Sequence, residues 1–344
     1  MQRCLQLAAM GNGNVAPNPI VGAVLVYQDR IIGEGYHEVF GQAHAEVNCV
    51  NSVKDDDRLH IADSTLYVSL EPCNHFGKTG PCTELILRER IPRVVIACSD
   101  PFEKVNGSGI ARLRNAGVEV ITDVLHTEAI ELNRRFFTFH QQHRPYIILK
   151  WAESNNHCIA AADGSPVKIS NALTDKLVHR WRSDEAAILV GTNTALRDNP
   201  SLTNRHYTGN QPLRILLDNT LKVPRNFQLY QQTTPLLILN TVKEAEEAHG
   251  IFNLWDQHLS LPVQLGKILY NMQKNSVIIE GGARLLETFI KEGAWDEARI
   301  IRNQSLVIEN GLPGPEWVFH QPEHQFMIGS DEISIFRNIS TLSN

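Results

Sequence analysis

HAE at residues 44–46 and EPCNHFGKTGPC at residues 71–82 together decide how this chain reads. His44, Cys73 and Cys82 supply one imidazole and two thiolates, a donor set suited to zinc, while Glu46 is a carboxylate left over. Three protein ligands leave the fourth position of a tetrahedral zinc to water, which marks a catalytic rather than a structural site. Zinc lowers the pKa of such a water toward neutrality, and Glu46, two residues past the ligand His44, is placed to carry protons to a leaving group. An H-x-E triplet alone carries no weight, and cysteines near a proline are more often buried small hydrophobes than ligands. Here ligand type, order and the spare acid agree. The triplet opens a helix, and Pro72-Cys73 follows the apolar run TLYVSL at 65–70.

The chain has 344 residues, a length for about two domains. It turns polar at His140-Gln141-Gln142-His143-Arg144-Pro145, so a boundary is expected after residue 143. Before it, strand-like runs at 19–27, 31–39, 65–70, 93–98 and 118–121 alternate with helical patterns from His44, from about Cys82, after Gly109 and over 126–142. That order predicts an α/β domain with helices on both faces of a sheet. After the boundary, strands are expected at 146–151, 186–190, 214–217, 235–239 and 276–279, with helices at 171–181, 262–273 and 283–292. The junction Val277-Ile278-Ile279-Glu280-Gly281-Gly282 puts glycines at a helix start, where a phosphate reaches backbone N–H groups. No G-x-G-x-x-G fingerprint is present, which argues against an ordinary dinucleotide-binding domain.

Net charge −6 leaves no basic footprint for a polyanionic partner, and no apolar run reaches the length of a membrane span. Residues 1–9 have helical spacing rather than the pattern of a secretory leader. Cys4, Cys49, Cys98 and Cys158 stand singly in apolar surroundings, as cytosolic core cysteines do. The expectation is a cytoplasmic enzyme acting on something small, with no nucleic-acid and no membrane partner.

H-x-E followed by P-C-x-x-C is the signature of zinc nucleobase deaminases, but here eight residues separate the cysteines. With that long gap, Pro17-Asn18-Pro19-Ile20-Val21-Gly22, Gly33-Glu34-Gly35-Tyr36-His37 and Glu71-Pro72-Cys73 through Cys82, the chain resembles the bifunctional riboflavin-biosynthesis deaminase/reductase family. Ser183-Asp184, Ile188-Leu189-Val190-Gly191, Thr194, Asp198, Pro200-Ser201-Leu202-Thr203, Arg205 and Glu280-Gly281-Gly282 extend the resemblance over nearly the whole length. It implies a cytidine-deaminase-like three-layer α/β/α domain at 1–143 and a dihydrofolate-reductase-like α/β domain at 144–344. The implied cofactors are zinc and NADPH, the implied substrate is a diaminopyrimidinone carrying a phosphorylated ribosylamino group, and a homo-oligomer (dimer or tetramer) is expected. Zinc chemistry removes an exocyclic amine, and NADPH then reduces the ribosyl group to ribityl.

By the same resemblance, Asn18, His37, Lys78 and Asp100 contact the deaminase substrate, with Lys78 toward the phosphate. Lys150, Arg182, Leu202, Arg205 and Glu280 face the reductase substrate. Ala152, Lys168, Thr194, Asp198, Gly281 and Gly282 face the dinucleotide. The chain departs from the family at Phe102, where asparagine is usual, at Asn156-His157, where Asp-Gly is usual, and at Ile301-Arg302-Asn303-Gln304-Ser305. Histidine does not adopt glycine's positive φ cheaply, so slow reduction is expected, with Asn156→Asp plus His157→Gly restoring turnover. Two rivals are a deaminase with a decayed reductase half and a nucleic-acid-editing deaminase. The latter needs a basic groove and stacking aromatics. A purely structural zinc would want a fourth protein ligand such as His75.

Overall fold

A computed structural model describes residues 1–76, 80–102, 106–319 and 321–338. The chain divides into two compact units, Met1–His143 and Arg144–Asn344.

The first unit runs α1 (Gln2–Ala9), β1 (Gly22–Tyr27), β2 (Arg30–Tyr36), α2 (Ala45–Asn51), β3 (Thr65–Val68), α3 (Cys82–Arg88), β4 (Arg93–Ile96), α4 (Ser108–Asn115), β5 (Glu119–Ile121), α5 (His126–Leu132) and α6 (Arg134–Gln142). Among the described residues its five strands are ordered β2-β1-β3-β4-β5. β1 pairs antiparallel with β2 and β3, while β3, β4 and β5 run parallel. Alternation along β1 makes the layers. Ala23 and Leu25 face a core with Ala45, Cys49, Leu85, Ile86 and Leu113, so α2, α3 and α4 cover one face. Val24 faces Cys4 and Leu7 of α1 on the other, where Phe136 and Phe137 of α6 close the layer.

The glycines around Glu34 set α2 in place. A Cβ on Gly35 would lie 2.3 Å from the Cys49 backbone nitrogen, so the helix that begins at His44 rests directly on β2. The helix expected over 126–142 breaks at Asn133. That side chain turns inward, its Oδ1 accepting the Ile20 N–H and its Nδ2 donating to the Ile20 carbonyl, both at 2.9 Å. A buried amide that satisfies both backbone groups of another segment outweighs one more helical turn.

The second unit runs β6 (Tyr146–Ser154), β7 (Cys158–Ala160), α7 (Ala172–Asp184), β8 (Ala187–Gly191), α8 (Thr192–Asp198), β9 (Leu213–Leu217), β10 (Leu236–Asn240), β11 (Ala245–Glu247), β12 (Gly250–Leu254), α9 (Leu261–Asn271), β13 (Ser276–Ile279), α10 (Ala283–Lys291), β14 (Glu297–Asn303), β15 (Leu312–Pro313), β16 (His324–Ile328) and β17 (Asp331–Arg337). Among the described residues ten strands form one sheet, ordered β11-β12-β10-β9-β8-β13-β6-β14-β17-β16. Its centre is parallel, and the antiparallel hairpin β16–β17 finishes one side. Central strands such as β10 and β13 are buried throughout, as parallel strands covered on both faces must be. β6 again alternates. Ile147, Leu149 and Trp151 pack with α9 and α10, while Tyr146, Ile148 and Ala152 pack with α7. Lys150 therefore shares the α7 face.

Candidate functional site

The metal-ligating side chains converge from two helix starts and one strand end. His44 is the extended residue that begins α2, Cys82 opens α3, and Cys73 follows β3. His44 Nδ1 lies 3.5 Å from Cys73 Sγ and 3.3 Å from Cys82 Sγ. Zinc–sulfur bonds of about 2.3 Å and a zinc–nitrogen bond of about 2.0 Å at tetrahedral angles place nitrogen and sulfur about 3.5 Å apart, so the donors fit the ion. Among the described residues no further His, Cys, Asp or Glu joins this group. His75, the candidate fourth ligand, is not part of it.

Cys82 donates its thiol and its backbone N–H, the latter at 3.3 Å, to Cys73; these bonds, with one from His44, pull the Cys73 thiol down to about 4 despite burial. Giving that hydrogen bond and being buried hold Cys82 well above the usual range. A divalent cation favours release of the second proton too. Glu46, in the first turn of α2, is buried, and burial holds its carboxyl up, with the Cys73 charge adding to this.

His37 and Asn18 extend the cluster. The His37 ring lies edge-on to His44 at 5.4 Å. Its Nδ1–H donates to the Ala43 carbonyl at 3.0 Å, which leaves Nε2 to accept from Asn18 Nδ2 at 3.3 Å. Burial lowers the His37 pKa, so this neutral tautomer holds. Asp100 is buried, its carboxyl raised by burial to about 7, and it accepts the Phe102 N–H at 2.8 Å. Phe102 packs on His140 at 5.0 Å and His75 at 6.3 Å. Lys78 lies outside the described residues.

Glu71, quoted above only as part of a motif, organises this region. Its carboxylate accepts four backbone N–H groups, from Asp100 at 3.3 Å, Gly107 at 2.9 Å, Gly109 at 2.9 Å and Ile110 at 3.2 Å. It fastens the Asp100 turn and the start of α4 to the segment that carries Cys73.

In the second unit, Lys150 on β6, Arg182 on α7 and Glu280 after β13 meet. Arg182 donates twice to Glu280, at 2.8 and 2.7 Å, and Lys150 Nζ is 3.7 Å from the same carboxylate. Burial works against the Glu280 charge, but Arg182 and Lys150 overcome it and hold the carboxyl at about 2. Thr194, in the first turn of α8, accepts the Gly282 N–H at 2.9 Å, joining α8 to the Gly281-Gly282 start of α10. Ala152 shares a face of β6 with Lys150. Lys168 instead pairs with Asp175 of α7, and Asp198 is the exposed last residue of α8. Leu202 is buried at φ 56°, and Arg205 is exposed.

The two residues that depart from the family pattern serve the fold. His157 has φ 61°, so this position does require the left-handed conformation. Its Nδ1 pairs with Glu153 at 3.0 Å. Asn156 Oδ1 accepts from Ser154 Oγ at 2.7 Å and the Ile308 N–H at 3.1 Å, and its Nδ2 donates to the Ile308 carbonyl at 3.0 Å. Missed in the sequence were Glu71 and His179; the latter precedes Arg182 by three residues on one helix face, a spacing that was there to read.

Residues 1–98 match the family model described as cytidine and deoxycytidylate deaminase zinc-binding region, and residues 145–305 match the RibD C-terminal domain. Riboflavin biosynthesis protein RibD of Aquifex aeolicus is 42% identical over 301 residues, covering 86% of this chain and 83% of that one. Its namesake in Escherichia coli is 31% identical, covering 95% and 94%. Among solved structures, a diaminohydroxyphosphoribosylaminopyrimidine deaminase / 5-amino-6-(5-phosphoribosylamino)uracil reductase from Thermotoga maritima superposes with a TM-score of 0.88 at 34% identity, over 98% of this chain and 97% of that one. Acinetobacter baumannii RibD gives a TM-score of 0.88 at 27% identity, over 98% and 97%. The fold is thus a cytidine-deaminase-like domain followed by a RibD reductase domain of the dihydrofolate-reductase type. The chain belongs to the RibD family and is a two-activity enzyme of riboflavin biosynthesis, a zinc-binding deaminase joined to a reductase.

Proposed function

We propose that residues 1–143 deaminate 2,5-diamino-6-ribosylamino-4(3H)-pyrimidinone 5′-phosphate by hydrolysis. Residues 144–344 then reduce the ribosyl group, giving 5-amino-6-(5-phosphoribitylamino)uracil. The observation that carries the reading is the His44, Cys73, Cys82 group, with the buried carboxylate of Glu46 beside it and no fourth ligand among the described residues.

Zinc held by those three residues supplies a water acidified toward neutral pH. Glu46 takes a proton from the attacking water and delivers it to the departing amine; its buried, raised carboxyl suits a group that must hold a proton midway. Asn18, fixed by His37, reads the pyrimidine edge, with Asp100 on the turn that Glu71 fastens. Lys78, in the loop between the two cysteines, meets the phosphate.

NADPH supplies the hydride of the second step. Ala152, Thr194, Asp198 and the Gly281-Gly282 helix start would hold the dinucleotide, with Lys168 beside them. Lys150 and Glu280 face the ribosyl group, Leu202 lines its pocket, and Arg182 and Arg205 address the phosphate, a pairing for which the planar guanidinium is suited. No helix among the described residues is long and apolar enough to cross a membrane, and the enzyme works in the cytoplasm. It works as a homo-oligomer; the edge strand β16, with Phe326 and Met327 exposed, supports that reading.

The test follows product masses from the phosphorylated diaminopyrimidinone, with and without NADPH. Exchange of an amine for oxygen without NADPH, and a further gain of two hydrogens with it, is expected. Either step missing from zinc-loaded enzyme refutes the corresponding half.

A further inference from the structure

The exposed loop that begins at Arg205 is held at three points. At its base the Gln211 amide clamps Asn204, Oε1 accepting the Asn204 N–H at 2.7 Å and Nε2 donating to its carbonyl at 2.8 Å. Farther along, Gly209 lies against the end of α7, where an added Cβ would stand 2.8 Å from the Ser183 Cβ. At its head, the Arg205 N–H donates to Nδ1 of His179 at 3.0 Å. His179 is on the buried side of α7, only 5% exposed, one turn before Arg182, and its ring meets His206 edge-on at 4.6 Å.

An Nδ1 that accepts a backbone N–H must be unprotonated, so the ring is neutral with its proton on Nε2. Burial first, then the charge of Arg182, with His206 and Arg205 adding and Glu280 opposing, hold the His179 pKa at about 4. The acceptor is therefore present throughout the neutral range. One helical turn thus carries both Arg182 and the group that fixes the backbone of Arg205, so the two guanidinium groups are indexed to the same helix.

We propose that His179 is a positioning residue of the reductase step, setting the backbone of Arg205 so that its guanidinium and that of Arg182 converge on the substrate phosphate. The proposal rests on the phosphate role of Arg205 given above. A histidine that merely filled the core would serve through its bulk, whereas a positioning histidine serves through the acceptor at Nδ1. Asparagine keeps an acceptor close to that place, and glutamine moves it one bond outward.

The experiment compares His179→Asn, His179→Gln and His179→Ala in the full chain by two readouts. One is hydrogen exchange of the segment containing Arg205. The other is steady-state reduction by NADPH of the deaminated pyrimidine, with and without its phosphate. Loss of one hydrogen bond should raise KM for the phosphorylated substrate about fivefold to tenfold in the Gln and Ala variants, with kcat within about twofold. KM for the dephosphorylated substrate stays level, exchange at Arg205 quickens, and His179→Asn stays near the parent in every measure. If His179→Asn matches Ala, the ring's bulk is what matters and the proposal falls. Unchanged exchange overturns it at His179; faster exchange with unchanged KM overturns it at Arg205 and the phosphate reading with it. Should the Ala variant not fold, the Asn and Gln pair decides alone.

Discussion

Replacing Glu280 by glutamine should cost the second unit about 3 kcal/mol at pH 7. The side chain is 11% exposed and takes two hydrogen bonds from Arg182, with Lys150 at 3.7 Å. Holding its carboxyl at about 2 rather than 4.5 is worth about 3 kcal/mol, at 1.36 kcal/mol for each pH unit. The glutamine variant also leaves two buried cations without an anion, a defect that typically costs about 3–5 kcal/mol. All five tryptophans, Trp151, Trp181, Trp255, Trp295 and Trp317, lie in Arg144–Asn344, so tryptophan fluorescence in urea follows this unit alone. At a slope of about 3 kcal/mol per molar, the midpoint should fall by about 1 M. Because the folded pKa is depressed, the stabilisation is present in full above 4.5 and is lost as pH falls toward about 2. The gap between parent and variant should therefore shrink to less than half by about pH 3. An unchanged midpoint at pH 7, or an equal gap at both pH values, would refute the reasoning.

Glu46→Gln should retain zinc by elemental analysis while deamination falls about 10²-fold to 10⁴-fold, the usual contribution of a positioned proton carrier. Lys78→Ala should raise KM for the phosphorylated pyrimidine while leaving its nucleoside unaffected; a preserved preference between the two would rule out the phosphate contact. Asn156→Asp should lower the thermal midpoint of the second unit by a few degrees, roughly 1 kcal/mol, since a carboxylate cannot donate to the Ile308 carbonyl. His157→Gly remains favourable to backbone conformation because φ there is 61°, and calorimetry of the two single variants separates these effects.

The group of candidate zinc ligands was legible because ligand chemistry leaves a linear trace, with imidazole, acid and two thiols in fixed order. The alternation along β1, and the glycines on β2 beneath α2, were likewise open to reading. Glu71 was not, since its function depends on four N–H groups from residues about thirty or more positions away. Strand β14 was hidden by its charges. Glu297 and Arg299 are buried within it, 2.5 Å apart, with Glu185 3.3 Å from Arg299, and such a run reads as surface until its partners are known. The hairpin β16–β17 shows the opposite difficulty, because Phe326 and Met327 both remain exposed on an edge strand and no alternation betrays it. The expected helix at 126–142 had sound periodicity, but a tertiary amide clamp took precedence over it at Asn133.

That clamp bears on where the chain could be cut. Ile20, gripped on both sides by Asn133, lies two residues beyond Asn18, so the segment proposed to read the substrate is anchored by the seam between the last two helices of the first unit. Every metal ligand lies within the 98 residues that match the zinc-binding region, yet a fragment of that length would keep the ion's donors and lose the anchor. If Asn18 meets the substrate as proposed, metal retention and substrate recognition should have different minimum lengths in this protein, the longer set by a residue thirty-five positions past the end of the motif-bearing region.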